Sequence, residues 1–183
     1  MLWSINELIS LELLIWLLPI AFFIHDGEEI ATVERWLRQN QDHPRIAAKN
    51  RMLNWEKNIT FQFTVAVLLL GLLLFLISYF TSGTFRSTGK LNLLFIGAVT
   101  VLLIDGIKHL GFTILLKQYT SGVITAVLVE IPYGAYALSR FYAAGLTDIG
   151  ANLLALALGL PLTIFFVWLG LTLGRIVAPF RSM

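Results

Sequence analysis

Three short stretches of this sequence carry side chains that could do chemistry, and each lies within or directly behind an apolar run. The stretches are "FFIHDGEEIATVERW", "IDGIKHLGF" and "LVEIPYGAY", and their ionisable residues of interest are His25, Glu28, Glu29, Asp105, Lys108, His109 and Glu130. Imidazole and carboxylate groups are ligands for divalent metals and also act as general acids and bases. In apolar surroundings such groups are costly unless they are paired, protonated or bound to a cation.

The spacing within two of these stretches is helical. At about 100° per residue, His25, Glu28 and Glu29 project from one face of a helix within about one turn. Asp105 and His109 are four residues apart and stack in the same way. Asp26 falls away from the His25 face, so we expect it to face solvent.

The combined inventory is four carboxylates and two histidines, as in di-iron and di-manganese carboxylate sites built inside helical bundles. A mononuclear zinc, iron or manganese site with two histidines and one or two acids fits the same inventory. The chain has no cysteine, so a metal would bind nitrogen and oxygen. We therefore predict that one or two divalent metal ions bind among six residues, which are His25, Glu28, Glu29, Asp105, His109 and Glu130.

The "HDGEE" stretch, with His25, Glu28 and Glu29, resembles a family of integral membrane proteins of unknown function that is named for its HXXEE motif. The length and hydropathy of the whole chain are similar to that family. The resemblance implies a second motif of the form NXXXH in a later span, to which Asp105 to His109 corresponds. Here an aspartate stands in place of the asparagine, so His109 is the firmer correspondence. The resemblance implies no substrate.

The elements that must position these residues are membrane helices. The 183-residue chain is 57% hydrophobic and 13% charged, and its mean hydropathy is +0.80, which is too apolar for a water-soluble domain of this size. Five apolar windows approach the roughly 20 residues that a bilayer core needs. The first begins near the amino terminus, and the others cover residues 59–80, 91–116, 122–138 and 149–177. We predict an all-α, polytopic membrane bundle of about five transmembrane helices, forming a single domain over residues 1–183.

Lys and Arg residues indicate how this bundle is oriented. Most of them fall in residues 25–58, in the loop after the third span and in the carboxyl-terminal tail, whereas the opposite side holds only Arg86, Lys90 and Arg140. We predict an external amino terminus, a cytoplasmic carboxyl terminus and a basic cytoplasmic connecting segment at residues 38–58. The first window has no basic residue before it, unlike a secretory signal, so we expect a retained helix. In this topology all three chemical stretches share the inner half of the bilayer.

Two further patterns concern the helices themselves. Pro132 in the fourth span cannot donate a hydrogen bond to the Leu128 carbonyl, so we expect a break that widens the bundle beside Glu130. Gly170 and Gly174 in the fifth span have the spacing of close packing within the bundle. The stretch "TSGTFRSTGK", residues 81–90, is expected to be a loop.

Several functions are compatible with these patterns. The first is a metal-dependent membrane hydrolase or oxidoreductase acting on a lipid or another hydrophobic small molecule, in which Glu28 or Glu29 carries protons and Lys108 or Tyr133 positions the substrate. The second is a metal-free acid–base isomerase or cyclase of isoprenoid or sterol-like substrates. The third is a non-enzymatic carrier of metal ions or protons, a role that the absence of inverted repeats disfavours unless the chain forms a homo-oligomer.

Two structural alternatives remain beside these functions. The His25 stretch could be a solvated helix end, and Lys108 could neutralise Asp105 or Glu130 in a buried charge network. The expected partners are membrane lipids and a hydrophobic substrate rather than nucleic acid. The reason is that the net charge is only +2 and the basic residues flank the membrane among acids.

Overall fold

The computed structural model describes residues 9–43 and 52–181, and this part of the chain contains five helices and no β-strand. Four of them are continuous: α1 (Leu11–Gln39), α2 (Ile59–Thr88), α3 (Leu93–Leu116) and α5 (Ile149–Val177). The remaining helix, α4, has three consecutive parts, which are an α-turn at Val123–Thr125, a π-helical turn at Ala126–Glu130 and an α-helix at Ile131–Ala143. The predicted all-α bundle is confirmed.

Three of these helices, α2, α3 and α5, are long and apolar enough to cross a membrane, so the predicted number of spans was too high. The helix α1 has the length of a span, but Asp26, Glu28 and Glu29 interrupt its apolar run. The helix α4 is divided by its π-helical turn. The three apolar helices indicate a membrane protein, and α1 and α4 pack against them.

The bounds of α2 correct the loop predicted at residues 81–90. The helix continues to Thr88 and ends at Gly89, whose left-handed conformation (φ 70°) closes the last turn. The hydroxyls of Thr84, Ser87 and Thr88 donate to carbonyl oxygens within the helix at 2.8–3.1 Å. Because these polar side chains bond back to their own helix, they do not end it.

Small residues set the packing of α5 against its neighbours. Gly170 and Gly174 lie directly on α2, beside Ala66 and Gln62, which confirms the close packing predicted for this pair. Gly97 of α3 lies against the backbone of α5 at Ala155 in the same manner. The buried apolar core fills the space between α1, α2, α3 and α4, and its largest side chains include Leu14, Ile15, Phe95 and Phe141.

The π-helical turn of α4 occupies the place where Pro132 was expected to break the helix. Proline has no amide hydrogen, and the preceding residue, Ile131, donates its backbone N–H to Ala126, five residues back. Such turns are rare, and those that occur are often at functional sites. Glu130 is the last residue of the turn and is 1% exposed, so the turn delivers a carboxyl group into the interior.

Candidate functional site

The buried side of α1 carries both His25 and Asp26. His25 is 2% exposed and Asp26 is 8% exposed, so the prediction that Asp26 faces solvent was wrong. Asp26 follows the buried Leu18 and Phe22 at intervals of four residues, and this row lies inside the bundle because α1 packs against both α2 and α4. Asp26 is close enough to Glu29 and Asp105 for their charges to act on one another.

Five of the predicted ligands come together from three helices, and we call them the histidine–carboxylate cluster: His25, Glu29, Asp105, His109 and Glu130. The Nε2 atom of His109 lies 3.1 Å from Oδ2 of Asp105 and 3.4 Å from Oε1 of Glu29. The Nε2 atom of His25 lies 3.8 Å from the same Asp105 oxygen, and its Nδ1 atom lies 3.5 Å from Oε2 of Glu130. The two imidazole rings are 4.8 Å apart between centroids.

Three buried atoms of the histidine–carboxylate cluster make no hydrogen bond of acceptable geometry within the described residues: His25 Nε2, Glu130 Oε2 and His109 Nε2, the last although it lies 3.1 Å from Oδ2 of Asp105. A buried polar atom without a partner costs about 1–3 kcal/mol, so such atoms are few in native structures. In this cluster the unpartnered atoms face other imidazole nitrogens and carboxyl oxygens, which are also potential metal ligands. A cation held by His25 and His109, or by His25 and Glu130, would give a partner to the atoms that it contacts.

The donor spacing fits a metal ion. Among the described residues, two groups have donor atoms that all lie within 4.8 Å of one another: His25 with Glu29 and His109, and His25 with Asp105 and Glu130. Ligand atoms about 2.0–2.1 Å from a tetrahedral zinc lie about 3.3 Å from one another. The separation of 3.4 Å between His109 and Glu29 in the first group and that of 3.8 Å between His25 and Asp105 in the second are near that value.

Glu28 lies beside the cluster, and its carboxylate accepts hydrogen bonds from residues outside the cluster. Its Oε2 accepts hydrogen bonds from the backbone N–H and the hydroxyl of Thr125, at 2.7 and 2.6 Å. Its Oε1 accepts from the Tyr119 hydroxyl at 2.7 Å and from the Ile124 N–H at 3.4 Å. Glu28 therefore binds the first turn of α4, where free N–H groups favour a negative charge.

The loop between α3 and α4, residues 117–122, is held against α1 near the cluster. Trp36 donates its indole N–H to the Tyr119 carbonyl at 2.8 Å, and the hydroxyls of Thr32 and Ser121 are 2.8 Å apart. Burial, together with the hydrogen bond that Tyr119 donates to Glu28, raises the pKa of the Tyr119 phenol. The phenol therefore stays a neutral donor at ordinary pH.

Gly122 ends this loop directly above the cluster. Its φ is +86°, and a Cβ atom there would lie 2.8 Å from Cε1 of His25, 2.9 Å from Cγ of Glu29 and 3.1 Å from Cε1 of His109. Both the backbone conformation and the close approach require glycine. The loop therefore covers the cluster at contact distance.

The remaining predicted site residues have other surroundings. Lys108 is paired with Asp105, and its side chain is 43% exposed. The Tyr133 hydroxyl donates to the Leu14 carbonyl at 2.9 Å. Leu14 precedes His25 by eleven residues, or about 16 Å of helix, so the structure does not bring this hydroxyl to the cluster.

A cavity of about 210 Å³ adjoins the cluster. Its polar lining includes Glu29, Lys108 and His109. Its apolar lining comes from four helices and includes Val33, Trp36, Phe63, Phe112, Val167 and Leu171. One side of the cluster therefore borders a space suited to a hydrophobic ligand.

Sequence reasoning missed the contribution of residues 119–125 to the site, because residues 122–125 were assigned only as the beginning of the fourth span. A signal was present at Gly122, because α4 begins after a glycine and has no capping side chain of its own. The first N–H groups of a buried helix need acceptors, and an acid elsewhere in the chain is the natural source. Glu28, which we had predicted as a metal ligand and proton carrier, supplies these acceptors.

The fold and the site together define a helical membrane protein with a buried histidine–carboxylate cluster under a glycine-containing loop. The family model described as "Protein of unknown function with HXXEE motif" matches residues 16–137. This match covers most of the chain and includes all the residues of the cluster, so the protein belongs to the HXXEE-motif family. Comparisons with curated proteins and with solved structures gave no match.

Proposed function

We propose that this protein is a metal-dependent integral membrane enzyme that acts on a lipid or another hydrophobic small molecule, as a hydrolase or an oxidoreductase. One observation carries the proposal: buried imidazole and carboxylate donors converge at the wall of an apolar cavity. The donors are nitrogen and oxygen, which suits zinc, iron or manganese. The two donor groups share His25, so they are alternative positions for one ion, and a second ion would take its ligands from the remaining carboxylates.

Each residue has a role that follows from its place. We assign the metal to His25 and His109 with Glu29, or to His25 with Asp105 and Glu130, and a metal bound there would supply a Lewis acid that activates water or dioxygen. Glu29 lines both the cluster and the cavity, so it is placed to carry a proton between the two. Glu28 is occupied by its four donors, so we assign it to holding α4. Lys108 lines the cavity and is placed to orient a polar group of the substrate.

The cavity sets the size of the substrate portion that it takes. Closed ligand pockets usually measure about 300–1,000 Å³, and this one measures about 210 Å³. It suits a segment of one hydrocarbon or isoprenoid chain rather than a whole two-chain lipid. The rest of such a substrate would lie in the bilayer beside the protein.

Incubation of the detergent-purified protein with a lipid extract of its expression host tests this proposal. Mass spectrometry should find a hydrophobic compound that the wild type consumes, and the consumption should stop after chelation of the metal. The His109→Ala variant should leave the compound unchanged, whereas His43→Ala, outside the cluster, should consume it. Identical extracts after wild-type and His109→Ala treatment would refute the enzymatic proposal.

Substitution of Gly122 by alanine should weaken metal binding by about tenfold to 100-fold, because the new methyl group would displace His25 and Glu29. Gly145→Ala is the matched control. Gly145 also has a positive φ, +67°, but nothing lies within 4 Å of its Cβ position. Metal affinity measured by competition with a chelator should separate the two variants. Equal losses of metal affinity in both variants would show that backbone strain, and not contact with His25 and Glu29, causes the effect.

We propose the orientation predicted from the charges, with the amino terminus outside and the carboxyl terminus cytoplasmic. Two hydrogen bonds join helix ends at one side of the bundle. The Asn58 N–H, just before α2, donates to the Pro179 carbonyl after α5 at 3.1 Å, and Gln118, after α3, donates to Asn40, after α1, at 2.6 Å. This end carries Arg38, Lys57, Lys117 and Arg175. The basic excess therefore gathers on one side of the bundle.

Single cysteines at Asn40 and Ser87 test that orientation cleanly, because the chain has none of its own. A membrane-impermeant maleimide applied to intact cells should label Ser87→Cys and leave Asn40→Cys unlabelled until the cells are opened. Labelling of both positions from outside would contradict the arrangement. A label at Ser182, near the carboxyl terminus, should also be cytoplasmic, and this residue lies outside those that the structure describes.

A further inference from the structure

A chain of two side-chain contacts links Glu28 to His25 through Thr125, a residue outside the HXXEE motif. The Thr125 hydroxyl lies 2.6 Å from Oε2 of Glu28 and 3.2 Å from Nδ1 of His25. Glu28 and His25 are on α1, whereas Thr125 is in the first turn of α4. The contact to Nδ1 leaves the other ring nitrogen, Nε2, directed into the cluster.

The direction of these hydrogen bonds follows from a count of protons. A threonine hydroxyl has one proton to donate and two lone pairs that accept. The closest acceptor is Oε2 of Glu28, which also receives the Thr125 N–H and therefore acts as an ionised carboxylate. With its proton given to Glu28, the hydroxyl can only accept from His25. The imidazole must then carry its proton on Nδ1.

The surroundings of the ring agree with this assignment. Nε2 of His25 is buried and has no hydrogen-bond partner among the described residues. The nearest carboxylate oxygen, Oδ2 of Asp105, is 3.8 Å away and beyond hydrogen-bond distance, so an N–H group there would be an unsatisfied buried donor, whereas a lone pair there is a ligand atom for a cation.

We propose that Thr125 is a positioning residue that fixes His25 in the Nδ1–H tautomer, and that Glu28 acts through it by holding the hydroxyl proton. The Nε2 lone pair is then presented to the metal. This arrangement is the one by which outer-shell groups orient histidine ligands in metal sites. The role of the metal rests on the proposed function, but the tautomer of His25 does not.

The experiment compares the wild type with Thr125→Val, which removes the hydroxyl at similar volume, and Thr125→Ser, which keeps it. Thr113→Val is the control, because Thr113 pairs with Thr120 in the same region at 2.6 Å and does not contact His25. Nitrogen-15 NMR of metal-free, histidine-labelled protein reports which ring nitrogen carries the proton. With only three histidines in the chain, His43→Ala and His109→Ala assign the signals.

We expect a protonated Nδ1 and an unprotonated Nε2 on His25 in the wild type, in Thr125→Ser and in Thr113→Val. In Thr125→Val the ring should populate the other tautomer, and zinc affinity should fall about tenfold to 100-fold. A wild-type His25 protonated on Nε2 would overturn the inference, as would an unchanged tautomer in Thr125→Val. A wild type that binds no metal but shows the expected tautomers would refute the proposed function and leave this inference standing.

Discussion

Replacement of His25 or His109 by alanine is expected to reduce bound metal by more than about tenfold, while the helical bundle stays folded. Loss of a group that only orients a ligand already costs about tenfold to 100-fold in affinity, and loss of a ligand itself costs more. The bundle should persist because its apolar core, around Leu14, Phe95 and Phe141, lies apart from these side chains. Metal per chain in the purified variants and thermal unfolding in detergent are the measurements.

His43→Ala is the control for this pair, because His43 lies beyond the end of α1 and belongs to neither group of donor atoms. Asp26 would be a poor control, since it is buried near the acids of the cluster. Equal metal content in the His25, His109 and His43 variants would return the cluster to the alternative of a structural charge network.

Leu171→Trp is expected to reduce turnover of a hydrophobic substrate by about tenfold or more and to leave the metal content unchanged. Leu171 is buried on α5 and lines the cavity, so the larger indole would fill space that the substrate needs. Overpacking costs about 1–3 kcal/mol, and the unfolding temperature should therefore be followed in parallel.

Leu173→Trp is the matched control for this prediction. Leu173 is two residues away on the same helix and is 43% exposed, so the same substitution there meets no cavity. Turnover of the compound identified in the lipid extract should be retained. Full activity in Leu171→Trp would show that the substrate binds elsewhere, even if the metal site is correct.

Much of the fold could be predicted from the sequence because long apolar windows specify helices of membrane length. The errors came where a local cue was given more weight than the helix itself. The serines, threonines and glycines of residues 81–90 were interpreted as a loop, although the hydroxyls of Thr84, Ser87 and Thr88 donate to carbonyl oxygens within α2. Asp26 was placed in solvent from one helical angle, although its row continues from Leu18 and Phe22 into the core.

The convergence of the site was predictable to a similar degree. Depth along the helices put His25, His109 and Glu130 at one level of the bilayer, and the structure brings their side chains together. Depth does not give the direction of a side chain, so the separate contacts of Glu28 and Tyr133 could not be foreseen. The contribution of Thr125 depends on how α4 meets α1, which no local pattern specifies.

The metal content of the wild-type protein tests the central claim most directly. Elemental analysis of detergent-purified protein should find about one or two zinc, iron or manganese ions per chain. The ions should be removed by chelation and restored when the same metal is added back. Protein that contains none of these metals, and that still binds none after exposure to each in turn, would contradict the account.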